Sequence, residues 1–199
     1  MKSMVQQRHR MSIGISLSNL LIIDGPNIDA VLGLSVLQRK PLPSERPRWD
    51  RVLDVARLWY SVFDAEFILN GDKFDDQRSP FYRFLKQTGY NVVTPKAAEW
   101  CDSDRQDPVD EYAKHRIESL IEPIRTDKSR GVLLVSHDGG YAAVLDGILA
   151  LDGFVGIVAF REWLAPELVA LKHRGAMLLD LQRDFGAFDV RFERPDIAS

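Results

Sequence analysis

Two short stretches of the chain end a hydrophobic run with an aspartate and a turn. One reads Ile23-Asp24-Gly25-Pro26-Asn27-Ile28-Asp29 and the other Val135-Ser136-His137-Asp138-Gly139-Gly140. A third acid, Asp110, stands in the first turn of a helix that Asp107 caps and Pro108 opens. Crowded carboxylates repel one another and partly protonate unless a cation neutralises them. A hard divalent ion such as Mg²⁺ or Mn²⁺ suits two or three aspartates plus an amide such as that of Asn27. An ion held by so few protein ligands can bind a phosphate oxygen and activate a water for in-line attack, which is phosphodiester hydrolysis. Ser136 is placed to hold one aspartate by a hydrogen bond. His137 is a candidate general base or phosphate contact, and Asp107 is a further accessory acid. Taken singly, an aspartate after a strand is more often a turn former or helix cap. The convergence of three is what points to a metal.

Such convergence needs a scaffold, and the hydrophobic pattern supplies one. Short dense apolar runs at 19–24, 65–69, 91–94, 131–136, 154–159 and 176–179 read as strands. Several are apolar on both alternating sets, as in strands covered on both faces. Between them, 49–63, 80–88, 108–121, 141–151 and 166–174 read as helices, while 38–48, with three prolines, reads as an exposed loop. Strands alternating with helices predict a three-layer α/β/α sandwich around a mostly parallel sheet. Ligands of such sheets bind beyond the carboxyl ends of the strands, where strand order reverses. Asp24 and Asp138 both sit at strand ends of that kind.

The chain has 199 residues, 45% of them hydrophobic, which suits a single domain with an ample core. Its net charge of -3 excludes a generally basic nucleic-acid coat protein but leaves room for a local basic patch. The lone Cys101 excludes a disulfide framework within the chain and favours a cytoplasmic setting. Residues 1–17 read as a flexible leader. The apolar stretch that follows their basic residues is too short for a membrane span and lacks a signal-peptide cleavage site. Residues 18–184 read as the folded domain, and 185–199 as a tail of uncertain order.

Three strings, LLIIDGPNID, DPVDEYAKHRIESL and GVLLVSHDGGYAAVLDGILALDGFVGIVAF, resemble in that order the NYN domain. This is a branch of the PIN-like nuclease superfamily that includes the LabA-like and limkain-type proteins. The resemblance runs from Leu20 to Asp180. It implies a PIN-like (Rossmann-like) parallel sheet of order 3-2-1-4-5 and Mg²⁺- or Mn²⁺-dependent cleavage of RNA. By motif it assigns Asp24, Asp110 and Asp138 as metal-binding and catalytic acids, with Asn27 beside them. Two departures stand out. The family's second acid after strand four is here Gly140, followed by Tyr141 in place of Phe. Near the middle of the helix that starts at Pro108, where many members carry a further acid, stands Arg116.

Arg39, Lys40, Arg46, Lys96 and Arg105 fall in connections at the expected metal end, where positive charge would hold an RNA backbone. Trp100, in the polar loop Glu99-Trp100-Cys101-Asp102, is a candidate for stacking on an unpaired base, as is Tyr141. The expected partner is therefore single-stranded RNA, with no membrane and with a homodimer or protein partner left open. A catalytically weak or inactive module that binds RNA or protein is the alternative, and a hydrolase of small phosphoesters is a third. The spacings of dinucleotide-binding and Walker loops are absent, and Ser136 lies in no GxSxG elbow.

Overall fold

The computed structural model describes residues 18–73, 78–103 and 106–195. Six strands form one all-parallel sheet: β1 (Ser18–Asp24), β2 (Val62–Ile68), β3 (Asn91–Val93), β4 (Arg130–Val135), β5 (Phe154–Ala159) and β6 (Met177–Asp180). Their order is β3-β2-β1-β4-β5-β6. Strand β1 lies between β2 and β4, with Asp24 opposite Ile68 and Ile23 opposite Val135. The chain steps outward to β2 on one side and to β4 on the other, so the strand order reverses at β1. Ends of β1 and β4 are therefore neighbours at the switch point, where α/β sheets place their ligands.

The period of two along the strands divides the core. Leu21 and Ile23 of β1 face one layer with Leu133 and Val135 of β4, while Leu20 and Ile22 face the other with Val132 and Leu134. The first layer is built by α1 (Gly25–Val31), α2 (Trp49–Tyr60) and α3 (Pro80–Thr88). A single turn of helix, α4 (Ala97–Trp100), packs on the next helix. The second layer holds α5 (Pro108–Glu118), α6 (Ile121–Thr126), α7 (Ala142–Leu149) and α8 (Pro166–Ala170). Both faces of the sheet are thus covered, as the sandwich requires.

Several boundaries differ from the sequence reading for local reasons. The helix expected over 49–63 stops at Tyr60, because Ser61 adopts a left-handed conformation (φ 49°) and turns the chain into β2. The helix expected over 108–121 breaks after Glu118, and a separate α6 follows. A 3₁₀ turn, Gly139–Tyr141, precedes α7, and another, Leu171–Arg174, follows α8. Helix α1 was not foreseen, since Gly25-Pro26 reads as a turn. Yet Pro at the start of a helix, capped by Asp24, is a start signal. The core also continues past residue 184: Phe185, Ala187 and Phe188 pack against the α2 side of the sheet. The leader expected at 1–17 lies outside the described residues. Among the described residues no helix is long and apolar enough to cross a membrane.

Candidate active site

The end of β1 delivers Asp24 into the interior, where it is 3% exposed. Gly25 must follow it, because a Cβ there would lie 2.5 Å from the Phe67 ring and 2.9 Å from the Ile68 carbonyl oxygen. The chain therefore turns directly into α1, and the Asn27 N–H donates to Asp24 Oδ1 at 3.1 Å. Oδ2 receives Ser136 Oγ at 3.1 Å, from the residue after β4. Ser136 Oγ in turn accepts the Asp138 N–H at 3.2 Å, which ties the loop after β4 to the end of β1.

Tyr141 closes the arrangement. Its side chain is fully buried, and its hydroxyl lies 3.1 Å from Asp24 Oδ2 and 2.9 Å from Asp110 Oδ1. A phenol has one proton to give, and two ionised carboxylates cannot share it. One acid must carry a proton. Burial pushes Asp24 up to about 7, and the neighbouring charge of Asp110 adds to the rise against the hydrogen bond from the Asn27 N–H. Asp110 is raised as well, by burial first and then by Asp138 and Asp107. The Tyr141 phenol is itself pushed up by burial and by both acids, so it stays protonated. The consistent pattern is a protonated Asp24 donating to Tyr141, and Tyr141 donating to Asp110.

Asp138 is half-buried. Its Oδ1 accepts the Gly140 N–H at 2.8 Å, capping the turn that leads to α7. Among the described residues, no three of His, Cys, Asp or Glu surround one point as a ready metal cage. The donor chemistry nevertheless suits a hard cation: oxygen ligands alone, with Asp24 and Asp110 on either side of one hydroxyl.

His137 is not placed as a base. The Phe160 N–H donates to its Nε2 at 2.9 Å, and its Nδ1 lies 3.0 Å from Asn27 Oδ1. Burial drives it down to about 4, so the ring is neutral. The His137 backbone N–H also reaches Asn27 Oδ1, at 2.9 Å. Asn27 Oδ1 therefore faces two His137 nitrogens, the backbone N–H and Nδ1. Asp107 is a helix cap, accepting the Val109 N–H at 2.8 Å.

The expected RNA contacts are thinner than the sequence suggests. Arg39 is held by Glu45 and Arg46 by Asp29. Lys40 and Lys96 are exposed, and Arg105 lies outside the described residues. Trp100 is half-buried and packs at an interplanar angle of 76° against Tyr112, with ring centroids 4.9 Å apart. Tyr141 is buried. Arg116 does not stand at the acid site but pairs with the buried Glu66 at 2.7 Å. The residue of α5 beside the site is Lys114, four positions from Asp110 and hence on the same face. It pulls the Asp110 carboxyl down against the other influences, and its Cε would lie 3.9 Å from a Cβ at Gly140. The sequence reading missed Lys114, and the i, i+4 spacing from Asp110 is the signal that finds it. Beside Gly25 and Pro26 opens a cleft of about 250 Å³ lined by Trp49, Phe67, Leu69 and Phe81.

No family model matches the chain, and no curated protein matches it. Among solved structures it is similar to a protein of unknown function from Vibrio parahaemolyticus, at 16% identity and a TM-score of 0.62. That match covers 88% of this chain and 99% of the other. At such identity the likeness shows the fold alone.

Proposed function

We propose that the chain is a ribonuclease of NYN type that hydrolyses RNA phosphodiester bonds with the support of Mg²⁺ or Mn²⁺. The observation that carries the reading is the Tyr141 hydroxyl, which touches both Asp24 and Asp110. Acids from a strand end and a helix start are thereby brought to one point, and both are raised by burial first and then by neighbouring negative charge. A bound divalent ion would supply Lewis-acid polarisation of the phosphate and a more acidic water. Asp24, Asp110 and Asp138 would hold it. Ser136 and the Asn27 N–H fix the orientation of Asp24. Lys40 and Lys96 would supply positive charge for the phosphate backbone, with Lys114, paired with Glu111 at 3.2 Å, beside the site. The cleft lined by Trp49, Phe67 and Phe81 is large enough for one flat base of a single strand. A cytoplasmic setting, where the Cys101 thiol stays reduced, belongs to the same proposal.

The test is incubation of purified protein with labelled single-stranded RNA and Mn²⁺. Cleavage stimulated by Mn²⁺ and abolished in Asp24→Asn and Asp138→Asn is the expected result. Cleavage that survives in both variants belongs to a contaminant and rejects the assignment.

One observation favours a second reading, an RNA-binding module without catalysis. The loop after β4 has Gly140 where a further acid would complete the carboxylate set, and among the described residues no ready cage exists. Tight RNA binding with no Mn²⁺-dependent cleavage selects this reading.

A further inference from the structure

We infer that Asn27 presents its amide NH₂ to a phosphate oxygen of the substrate, and that His137 is the positioning residue that holds it that way round. The inference rests on the RNA-directed reading above and assigns the roles of two residues within that site.

The orientation of an amide is fixed by what it faces. The His137 backbone N–H can only donate, and it lies 2.9 Å from one end of the Asn27 side chain, so that end is the oxygen. The imidazole gives the same answer independently. Nε2 faces another backbone N–H, that of Phe160, at 2.9 Å, so Nε2 is the acceptor nitrogen. A neutral ring then carries its proton on Nδ1, which donates to the same Asn27 Oδ1 at 3.0 Å. Both hydrogen bonds point into one oxygen.

With the oxygen engaged twice, the other end is the donor. Asn27 Nδ2 makes no hydrogen bond to any protein group among the described residues, and it is not sealed from solvent. The residue stands between Asp24, which its backbone N–H caps, and the loop carrying Asp138. Of the neighbouring acids, Asp110 and Asp138 present acceptors, and the one proton of Asp24 goes to Tyr141. A substrate phosphate arriving there needs donors, and Asn27 offers two N–H bonds without adding charge.

The ring itself is locked. Its face stacks on Phe160 at a centroid distance of 5.8 Å and an interplanar angle of 19°. The His137 carbonyl accepts the Ala165 N–H at 3.2 Å. Losing the imidazole would leave the backbone bond to Asn27 in place but free the amide to swing.

Two measurements test this. In the folded wild-type protein, ¹⁵N NMR of the His137 ring should show the proton on Nδ1 and a pyridine-type Nε2. A proton on Nε2 overturns the positioning argument. Binding of a short oligoribonucleotide is then measured without divalent ion, and cleavage with Mn²⁺, for wild type and three variants whose folding is verified by thermal melts. Asn27→Ala removes the NH₂ without adding charge and leaves the backbone N–H that caps Asp24 in place. It should weaken binding roughly tenfold or more, the worth of a hydrogen bond to a charged group. His137→Leu should weaken it by about three- to fivefold, as expected for one neutral hydrogen bond, with the loss in KM rather than kcat. His137→Gln, which keeps a donor and an acceptor, should recover much of it. Variants that bind and cleave like wild type overturn the inference while leaving the nuclease reading intact. Wild-type protein that binds RNA but does not cleave it rejects the nuclease reading, and the variants still decide the role of Asn27. Wild-type protein that does neither ends both.

Discussion

Replacing Asp24 by asparagine should make the protein more stable while destroying its proposed activity. The physical reason is the cost of ionising a carboxyl that is 3% exposed and faces a second acid. The rise of Asp24 from 3.8 to about 7, at ~1.4 kcal/mol per pH unit, sets a ceiling of roughly 4 kcal/mol on that cost. Asparagine copies most hydrogen bonds of the protonated acid. Its oxygen accepts the Asn27 N–H and its NH₂ faces the Tyr141 hydroxyl oxygen, leaving Tyr141 to donate to Asp110, while the Ser136 hydroxyl loses its acceptor. Allowing for imperfect geometry, about half the ceiling, roughly 2 kcal/mol, should be realised above neutral pH, or about 4–8 °C in Tm for a chain of this size. The sign follows from linkage. Between about pH 4 and 7 the folded state holds a proton on Asp24 that the unfolded state has lost, so this group's stability falls as pH rises. The advantage of the variant should therefore be near zero at about pH 4 and grow to its full value by about pH 8. His137 works in the opposite direction. Burial lowers it from 6.5 to about 4, so its contribution is lost as pH falls through that window. The wild-type profile should be flat where the two overlap, and Asp24→Asn should expose the acid sensitivity of His137. Thermal melts of both proteins across the pH range measure this. A variant less stable than wild type above neutral pH, or an advantage independent of pH, would refute the reasoning.

Two further substitutions probe the surroundings of the site. Tyr141→Phe removes the hydroxyl that an ion must displace. It should cost roughly 1–2 kcal/mol without metal, through the lost bond to Asp110, yet show a larger rise in Tm on adding Mn²⁺ than wild type does. Equal Mn²⁺ shifts would show that the hydroxyl does not stand in the ion's place. Arg194, only 1% exposed, ties the segment after β6 to Asp180 at 2.8 Å and Glu162 at 3.1 Å, and sits over the Phe160 ring. Arg194→Met should lose roughly 3 kcal/mol in a denaturant titration by leaving two buried acids unpaired; a loss below about 1 kcal/mol would count against a paired network.

The layers were readable because parallel strands buried on both faces are densely apolar, and each of the six dense runs maps onto a strand; the order of the first five came only from the resemblance, and the place of β6 was not given. The strand-end placement of Asp24 and Asp138 followed from the same pattern. What pattern could not reveal was anything decided by contacts far apart in the chain. Tyr141 read as a stacking aromatic and is buried between two acids. Arg39 and Arg46 read as free positive charge and are paired within their own neighbourhood. His137 read as a reactive ring, but the Phe160 backbone N–H and the Asn27 side-chain oxygen engage its two nitrogens, and nothing in a single sequence announces them. The segment beyond Asp184 carried no periodic signal, because Phe185 and Phe188 pack from irregular backbone. Lys114 alone was within reach of a simple rule, the helical spacing from Asp110.

The proposed hydrolysis requires Asp24, Asp110 and Asp138 to share one cation. A crystal soaked in Mn²⁺ and recorded at an energy where manganese scatters anomalously addresses this without any assay of activity. An anomalous peak between Asp24 and Asp110, within reach of Asp138 directly or through water, with the Tyr141 hydroxyl moved aside, is the result expected. No peak there at saturating Mn²⁺, with Tyr141 still bridging the two acids, would contradict it.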